Sequence, residues 1–265
     1  AGARITLLTR CGSADGGSEN GLRRLRWTMG DAPPEEAFLP FGDAPAPTAV
    51  VHLAHTWNTE DPESDDPNLS ATRTLLEATR LHGVPRFIYA SSLVARPDSL
   101  NRYGRVKHAV EGLLNGTSEV AARIGLVYGG PQQAMWGSLC KVVSLSPVLP
   151  MIGTKRMVQP VHIDDVAQGL LRLADGSVSV RQPAYLIAGP PLPFGAFLKA
   201  IARHRFDRSL TLIPLPLGLA LFAADVINRL PGPSVDKERI LGIAGVPARD
   251  TTADLKHLGL TLRQL

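Results

Sequence analysis

The sequence of 265 residues contains only two cysteines, few aromatic residues and no long apolar run. Cys11 and Cys140 share neither a C-x-x-C motif nor another paired spacing, which argues against a disulfide framework or a zinc scaffold. The low number of cysteines and their unpaired spacing favour a reducing compartment, so we expect a cytoplasmic protein. The most apolar stretch, residues 215–224, is shorter than the roughly 20 residues that a membrane-spanning helix needs. We expect no integral membrane segment, and interpret this stretch as a buried helix, with a peripheral membrane contact as the alternative.

The sequence also lacks a nucleic-acid-binding signature and a strong metal-binding pattern. Its formal net charge of +4 comes mainly from scattered arginines, and the arginine groups at residues 23–26 and 203–208 have no interleaved aromatic residues. Such groups are typical of solvated faces, so we expect no nucleic-acid partner. His52 and His55 lie three residues apart without a third ligand, and Cys140 has no evident histidine partner. We therefore expect no metal site and no thiol nucleophile.

Strand and helix patterns alternate along the first half of the chain. Short apolar runs bounded by turn residues predict strands, and apolar residues at helical spacing predict amphipathic helices. The predicted strands are residues 4–9, 25–28, 48–54, 87–90 and 120–126, and the predicted helices are residues 68–82 and 103–115. This alternation indicates an α/β fold with a parallel sheet and helical crossovers. The run at residues 48–54 is apolar throughout, as in a strand that is buried on both faces.

The second half of the chain is less regular. Proline-rich connections separate two short predicted helices, residues 164–174 and 194–204, and a short predicted strand, residues 185–188. We interpret residues 131–265 as a smaller substrate lobe that follows a nucleotide-binding domain at residues 1–130.

Tyr103 and Lys107 lie four residues apart in the predicted helix of residues 103–115, which places both side chains on the same helix face. A lysine charge beside a phenol favours the phenolate and lowers a pKa that is ordinarily about 10. Such a tyrosine can exchange a proton with a hydroxyl or a carbonyl near neutral pH. Ser91 and Ser92 stand shortly upstream, at the end of a predicted strand. The spacing alone also fits two side chains that share a helix face only through packing.

Several short segments follow one another along the chain. They are VVHLA at residues 50–54, NLSAT at 68–72, FIYASS at 87–92, the pair Tyr103 and Lys107, ARIGLVYG at 122–129 and PVHIDDVA at 160–167. In this order and spacing, the segments resemble the short-chain dehydrogenase/reductase superfamily, in its extended or atypical branch, the NAD(P)-dependent epimerase/dehydratase group. The resemblance covers most of the chain. It implies a Rossmann-like doubly wound parallel sheet with a smaller C-terminal α/β substrate lobe.

The resemblance also implies roles for individual residues. Ser92 aligns best with the catalytic serine of the family, and Tyr103 and Lys107 align with its catalytic pair. In the segment at residues 160–167, which resembles the part that packs the substrate lobe onto the core, Asp164 is best explained as a helix N-cap. The cofactor-binding positions implied by the resemblance are Leu53, Ala54, Asn68, Ala90, Tyr103, Lys107, Ile124 and Val127.

One departure from the family is the missing glycine-rich phosphate loop, G-x-x-G-x-x-G, after the first strand. Residues 1–6 resemble the turn after the first helix of the family, so the strand at residues 4–9 corresponds to its second strand. The first strand lies mid-sheet in the doubly wound order, and its loop holds the pyrophosphate. Residues 12–17 cannot replace that loop, since they follow the wrong strand. We expect a gap between two halves of the sheet, in either an N-terminally truncated sequence or a degenerate relative.

A second departure is the short loop between Ser92 and Tyr103, which stand 11 positions apart. Extended members of the family usually have a longer insertion there. The short loop resembles the atypical branch related to a subunit of NADH-ubiquinone oxidoreductase, and so do residues 255–260 and the proline-flanked region at residues 212–233. The resemblance therefore leaves two alternatives, an enzyme and a non-catalytic nucleotide-binding or structural subunit.

The end of the strand at residues 4–9 bears on the choice of cofactor. NAD-preferring sites have an acidic residue there, whereas an arginine suits the 2′-phosphate of NADP. Thr9 and Arg10 occupy this position. We therefore expect NADP as the cofactor, with NAD as the alternative.

These observations predict an NAD(P)-dependent oxidoreductase or epimerase/dehydratase-like enzyme that acts on the hydroxyl or carbonyl of a small molecule. Tyr103 is its expected general acid/base, Lys107 lowers the tyrosine pKa and holds the nicotinamide ribose, and Ser92 orients the substrate oxygen. By resemblance alone, the helix at residues 103–115 would also contribute to a homodimer.

Overall fold

The structure is a computed structural model that describes residues 4–10, 18–19, 21–57, 66–215 and 247–264. Nearly all of the apolar stretch at residues 215–224 lies outside the described residues. So do Cys11 and the stretch at residues 12–17.

The strands of the described chain are β1 (Ile5–Thr9), β2 (Ser18–Glu19), β3 (Leu22–Arg26), β4 (Val50–His52), β5 (Phe87–Ser92), β6 (Glu119–Ile124), β7 (Leu126–Tyr128), β8 (Val148–Ile152), β9 (Met157–Val158), β10 (Pro160–His162), β11 (Ala184–Ile187), β12 (Leu192–Pro193) and β13 (Thr211–Leu215). The helices are α1 (Pro67–Leu81), α2 (Arg102–Glu111), α3 (Ala134–Leu145), α4 (Ile163–Ala174), α5 (Phe194–Phe206) and α6 (Thr252–His257). A single turn of 3₁₀-helix spans Glu35–Phe38. None of the helices in the described part of the chain is both long enough and apolar enough to cross a membrane.

The first three strands form a small sheet of their own. β1 pairs in parallel with β3, and β2 pairs with β3 in the antiparallel direction. The predicted strand at residues 4–9 is confirmed by β1. β3 begins earlier than the predicted strand at residues 25–28, because Gly21 turns the chain at φ 80° and its carbonyl accepts a 2.9 Å hydrogen bond from the Ile5 amide.

Four other strands form a second sheet in the order β4, β5, β6 and β11, and β4 runs parallel to β5. Helix α1 connects β4 to β5 and helix α2 connects β5 to β6, which is the predicted alternation of strands and helices. β1 and β4 belong to different sheets, and no described strand pairs with both. A doubly wound order without its first strand would leave such a separation, and the missing first strand stays a prediction.

Strand β4 is an edge strand in the described part of the second sheet. Val50 and Val51 are half-buried, and Leu53, just beyond the strand, is 62% exposed. The prediction that residues 48–54 are buried on both faces is therefore wrong. A strand with one described neighbour is covered by fewer side chains than a central strand of a parallel sheet.

Helix α1 begins and ends at residues that favour helix boundaries. The Asp66 side chain accepts a 2.9 Å hydrogen bond from the Asn68 amide, and Pro67 occupies the first helical position. Gly83 follows the helix at φ 64° and allows the chain to leave it. The buried stripe of the helix consists of Ala71, Thr72, Leu75, Leu76 and Thr79.

The C-terminal strands form three two-stranded pairings, β7 with β10, β8 with β13 and β9 with β12. Helices α4 and α5 confirm the helices predicted at residues 164–174 and 194–204 to within two residues. Helix α3 and the strands β8, β9, β12 and β13 lie outside the predictions, since short proline-containing strands have little periodicity of their own.

Contacts within the chain divide it into two compact units. Unit 1 consists of Ala1–Ser91, Val106–Ala122 and Leu170–Tyr185, and unit 2 consists of Ser92–Arg105, Arg123–Gly169 and Leu186–Leu265. The core of unit 1 includes Leu75, Leu76, Phe87, Tyr89 and Val110, and the core of unit 2 includes Leu139, Cys140, Val143, Phe197 and Leu198. The domain boundary near residue 130 stays a prediction.

Candidate active site

Helix α2 contains Tyr103 in its first turn and Lys107 one turn later, which places the two residues on one helix face as predicted. The helix starts at Arg102 because the Oδ1 atom of Asn101 accepts a 3.0 Å hydrogen bond from the Gly104 amide. It ends at Glu111, earlier than the predicted residue 115, just before Gly112.

In unit 2, Ser92 and Tyr103 come together. Ser92 is the last residue of β5, and its side chain forms a hydrogen bond with the Tyr103 phenol. Burial raises the pKa of Tyr103 to about 12, and the hydrogen bond from Ser92 offsets only part of this rise. The predicted lowering of the tyrosine pKa is therefore wrong for this structure, since loss of hydration disfavours the phenolate more than the neighbouring groups favour it. The phenol is protonated at neutral pH.

In unit 1, Lys107 lies against the end of β5. Its Nζ atom donates a 2.7 Å hydrogen bond to the Ala90 carbonyl and lies 4.5 Å from the centre of the Tyr89 ring. Lys107 is only 3% exposed, and burial lowers the pKa of its ammonium to about 8, against the charge of Glu111, which raises it. The lysine thus places one positive charge at the carboxyl end of β5.

Asn68 holds the chain segment that follows β4. Its Oδ1 accepts a 2.8 Å hydrogen bond from the Thr56 amide, and its Nδ2 donates to the Thr56 carbonyl at 3.0 Å. The same Nδ2 donates to Asp66 Oδ1 at 2.8 Å. This network ties the start of helix α1 to the segment after β4, and the cofactor-binding role of Asn68 stays a prediction. Sequence reasoning missed Thr56 and Asp66, because neither motif nor spacing indicates which backbone the amide binds.

Two histidines of unit 1 lie near Lys107. His52 is buried, and its Nε2 lies 3.1 Å from Thr72 Oγ1. Burial, and then the Lys107 charge, lower the pKa values of both His52 and His55 to about 4. Both imidazoles are neutral at physiological pH, so Lys107 supplies the positive charge of this group.

The expected adenosine-binding residues lie at the ends of β1 and β4. Thr9 is half-buried at the end of β1, and Arg10 follows it on the surface. Thr9 is paired with Arg26 of β3, an exposed arginine that sequence reasoning had assigned to a solvated face. Paired residues of neighbouring strands point to the same sheet face, so Arg26 lies beside the expected position of the 2′-phosphate. The position of Arg26 beside Thr9 follows from the strand register, and no local sequence pattern indicates it.

The segment expected beside the nicotinamide lies in unit 2. The Ile124 carbonyl accepts a 3.0 Å hydrogen bond from the Leu93 amide, next to Ser92, and Val127 of β7 is paired with Val161 of β10. A side chain at Gly125 would overlap the Gln159 carbonyl oxygen, so glycine is required at this turn.

The start of helix α4 differs from the prediction that Asp164 is its N-cap. The helix begins at Ile163, and the Nδ1 atom of the preceding His162 accepts a 3.2 Å hydrogen bond from the Asp164 amide. The Asp164 carboxylate is ion-paired with Arg263, and the Arg263 amide donates to Asp165 at 2.8 Å. Asp164 thus helps to hold the C-terminal segment of unit 2.

In unit 2, Ser92 and Tyr103 provide a hydroxyl and a phenol, and in unit 1 Lys107 provides an ammonium. These are groups of the kind that bind ribose hydroxyls, and their binding of the nicotinamide ribose stays a prediction. The described residues include no glycine-rich turn that leads into a helix N-terminus and would hold the phosphates. Asp66 and Asn101 already occupy the N-termini of α1 and α2.

Sequence comparisons show which protein family the chain resembles. A profile of the NAD dependent epimerase/dehydratase family matches residues 2–188. Over 106 residues the chain is 34% identical to a protein named ceramide reductase from Caulobacter vibrioides. This match covers 39% of the present chain and 33% of that protein, so it spans about a third of the relative's length.

Structural comparisons identify the same fold at low sequence identity. The terminal R domain from the myxalamid PKS-NRPS biosynthetic pathway has a TM-score of 0.68 and 18% identity, covering 99% of this chain and 80% of that chain. UDP-N-acetylglucosamine 4-epimerase from Bacillus cereus has a TM-score of 0.62 and 17% identity, covering 98% and 85%. The Rossmann-like α/β fold is thereby confirmed. The sequence motifs predicted this family and a nicotinamide-dependent enzyme. Because the family profile matches well over half of its residues, the chain belongs to the NAD dependent epimerase/dehydratase family.

Proposed function

We propose that the protein is an NADP-dependent reductase of a small-molecule carbonyl, with Ser92, Tyr103 and Lys107 as its catalytic residues. The observation that supports this most is the hydrogen bond between Ser92 and the Tyr103 phenol, with Lys107 one helix turn further along α2. Epimerisation or dehydration through the same residues is the nearest alternative.

The protonation of Tyr103 favours the reductive direction. Its phenol, with a pKa of about 12, holds its proton throughout the neutral range and donates it to the substrate oxygen. Ser92 orients that oxygen. Lys107 binds the ribose of the cofactor, and its hydrogen bond to the Ala90 carbonyl holds the ammonium in place. When bound, the nicotinamide supplies the hydride. Asn68 keeps the segment after β4 in place, and Leu53, Ala54, Ile124 and Val127 provide the remaining cofactor contacts in this proposal.

The preference for NADP rests on Thr9, Arg10 and Arg26 at the ends of β1 and β3. The paired register places Arg26 beside Thr9, and Arg10 follows directly. A phosphate bound by arginine gains strong charge-assisted hydrogen bonds. Calorimetric titration with NADPH and NADH tests the preference, and Arg26→Glu should weaken NADPH binding by about 10- to 100-fold with little effect on NADH. Lys199→Glu, an equal charge change at an exposed position of α5, should change neither.

The substrate class is tested with a panel of carbonyl compounds. Since a stretch of the chain is similar to a protein named ceramide reductase, the panel should contain an oxidised ceramide beside a UDP-sugar and a small aliphatic ketone. NADPH oxidation with any member of the panel, abolished by Tyr103→Phe, would support the proposal. Absence of turnover together with tight NADPH binding would contradict it.

A non-catalytic nucleotide-binding or structural subunit is the second candidate. It is favoured by the short loop between Ser92 and Tyr103 and by the lack of a phosphate-binding turn among the described residues. Under this alternative the folded chain reduces no carbonyl of the panel, and surface substitutions abolish binding to a protein partner. The main proposal also includes a homodimer through helix α2 and a cytoplasmic location. Sedimentation of the purified chain tests whether it forms a dimer.

A further inference from the structure

Tyr103 is the second residue of helix α2, and the residues around it fix the first turn of that helix. Asn101 Oδ1 accepts hydrogen bonds from the Gly104 amide at 3.0 Å and from the Ser99 hydroxyl at 3.1 Å. Arg105 Nη1 donates at 2.7 Å to the Ser99 carbonyl. The contacts therefore hold the chain on both sides of Tyr103.

This cap is buried and closely packed. Ser99 is 6% exposed and Asn101 is 9% exposed. A Cβ atom at Gly104 would overlap both the Ser99 hydroxyl and the Val94 carbonyl oxygen, so a larger residue would push the first turn away from the loop. The loop between Ser92 and α2 thus closes directly onto the turn that contains Tyr103.

We propose that Asn101, supported by Ser99, is a positioning residue that holds the Tyr103 phenol against Ser92. An N-cap satisfies an amide that the helix itself leaves without a partner, and its loss frays the first turn. Tyr103 lies in that turn, so fraying moves the phenol away from Ser92 and toward water. The catalytic meaning of this inference rests on the proposed function, in which Tyr103 donates the proton.

The variant Asn101→Ala removes both hydrogen bonds to Oδ1. We expect hydrogen exchange at the Gly104 amide to accelerate roughly fivefold or more. For the carbonyl compound that is reduced in the panel, kcat should fall roughly tenfold while KM changes little. Asn101→Asp keeps the acceptor oxygen and should restore both values.

A matched control removes a similar bond elsewhere in unit 2. Asp250 Oδ1 accepts a 2.9 Å hydrogen bond from the Thr252 amide at the start of α6. Asp250→Ala should change neither Gly104 exchange nor kcat. If Asn101→Ala does not fold, Ser99→Ala removes only the support of the cap and should change both quantities in the same direction by less.

Ionisation of the Tyr103 phenol separates positioning from a merely structural role. It is measured by ultraviolet titration, as the difference between each variant and the same variant with Tyr103→Phe. Because burial raises the pKa of Tyr103, exposure of the phenol in Asn101→Ala should lower that pKa toward its ordinary value of about 10. In Asn101→Asp the pKa should stay at the unmodified protein's value or above it, since a carboxylate disfavours the phenolate.

Unchanged Gly104 exchange and unchanged Tyr103 ionisation in a folded Asn101→Ala protein would overturn the inference. If both change as expected while the unmodified protein reduces no carbonyl, the positioning role is supported and the proposed function fails. The two proposals can therefore fail separately.

Discussion

The ammonium of Lys107 donates a 2.7 Å hydrogen bond to the carbonyl oxygen of Ala90, just before the two serines that end β5. The contact fixes a buried positive charge beside the Tyr89 ring in unit 1. Burial lowers the pKa of Lys107 to about 8, so the lysine is still charged at neutral pH and the charge has lost most of its hydration. Burial of this charge lowers the free energy of unfolding, and it keeps an ammonium at the proposed cofactor ribose site.

Lys107→Met should therefore stabilise the fold and abolish function. The unfolded chain takes up a proton on lysine below about pH 10.5, whereas the folded chain does so only below about 8. The unfolding free energy of the unmodified protein thus rises with pH across this window, and the full cost of the buried charge is present below it. At pH 7 we expect Lys107→Met to raise the unfolding free energy by roughly 1–3 kcal/mol, with the gain shrinking toward pH 10.

Urea unfolding at several pH values measures this effect. Lys199→Met, at an exposed position of α5, is the control and should show no such pH-dependent gain. A Lys107→Met protein that is less stable than the unmodified one at pH 7 would show that the contacts of the ammonium outweigh its desolvation.

His52 should make the fold sensitive to acid. Burial lowers the pKa of this imidazole from 6.5 to about 4, so the unfolded chain binds a proton more readily between these values. The unfolding free energy should fall as the pH drops through this window, by roughly 2–3 kcal/mol from His52. His52→Gln should flatten this part of the stability profile, whereas His204→Gln, at an exposed site, should leave it unchanged. Equal slopes for all three proteins would contradict the buried, neutral histidine.

Local features of the site could be predicted from sequence, and tertiary ones could not. Spacing alone places Tyr103 and Lys107 on one helix face, and an apolar run ending in serines predicts the strand that brings Ser92 to its end. The direction of the Tyr103 pKa depends on burial by residues distant in sequence, which no local pattern reveals. The same holds for Arg26, whose position beside Thr9 follows from the pairing of β1 with β3.

The secondary structure likewise divides into elements that sequence patterns predict and elements that depend on tertiary contacts. Strands β1, β5 and β6 and helices α1, α2, α4 and α5 follow periodic patterns and agree with the predictions. The short strands β8 and β13 pair with each other across about 60 residues, so their existence depends on contacts and not on their own composition. The cap of α4 by His162, in place of the predicted Asp164, is a further case in which the folded geometry selects among nearby residues.

Arg80 and Glu119 form an ion pair whose loss should destabilise unit 1. Arg80 Nε and Nη2 donate to the two Glu119 oxygens at 2.6 and 2.7 Å, and the glutamate side chain is only 6% exposed. Although burial raises the pKa of Glu119, the hydrogen bonds from Arg80 and the Asn115 amide lower it more. Because Arg80 is half-exposed, we expect Arg80→Met to reduce the unfolding free energy by about 1–3 kcal/mol.

The pH dependence of this loss has a defined sign. A carboxyl with a lowered pKa in the folded state contributes stability above its unfolded pKa, and that contribution disappears as the pH falls through the folded value. The difference between the unmodified protein and Arg80→Met should thus be largest at neutral pH and shrink in acid. Arg73→Met, on the exposed side of the same helix, should cost little at any pH. A loss that does not depend on pH would indicate packing rather than charge.

Proton donation by Tyr103 is tested most directly by the turnover of Tyr103→Phe with NADPH and a carbonyl compound that the unmodified protein reduces. The change removes the phenol hydroxyl and keeps the ring, so cofactor affinity and folding should be preserved. Tyr128→Phe is the control, since its hydroxyl donates to the Arg263 carbonyl and takes no part in the proposed proton transfer. We predict a fall in kcat of about 10²- to 10⁴-fold for Tyr103→Phe, with an unchanged dissociation constant for NADPH. Turnover equal to that of the unmodified protein would contradict proton donation by Tyr103, and with it the proposed reductase site.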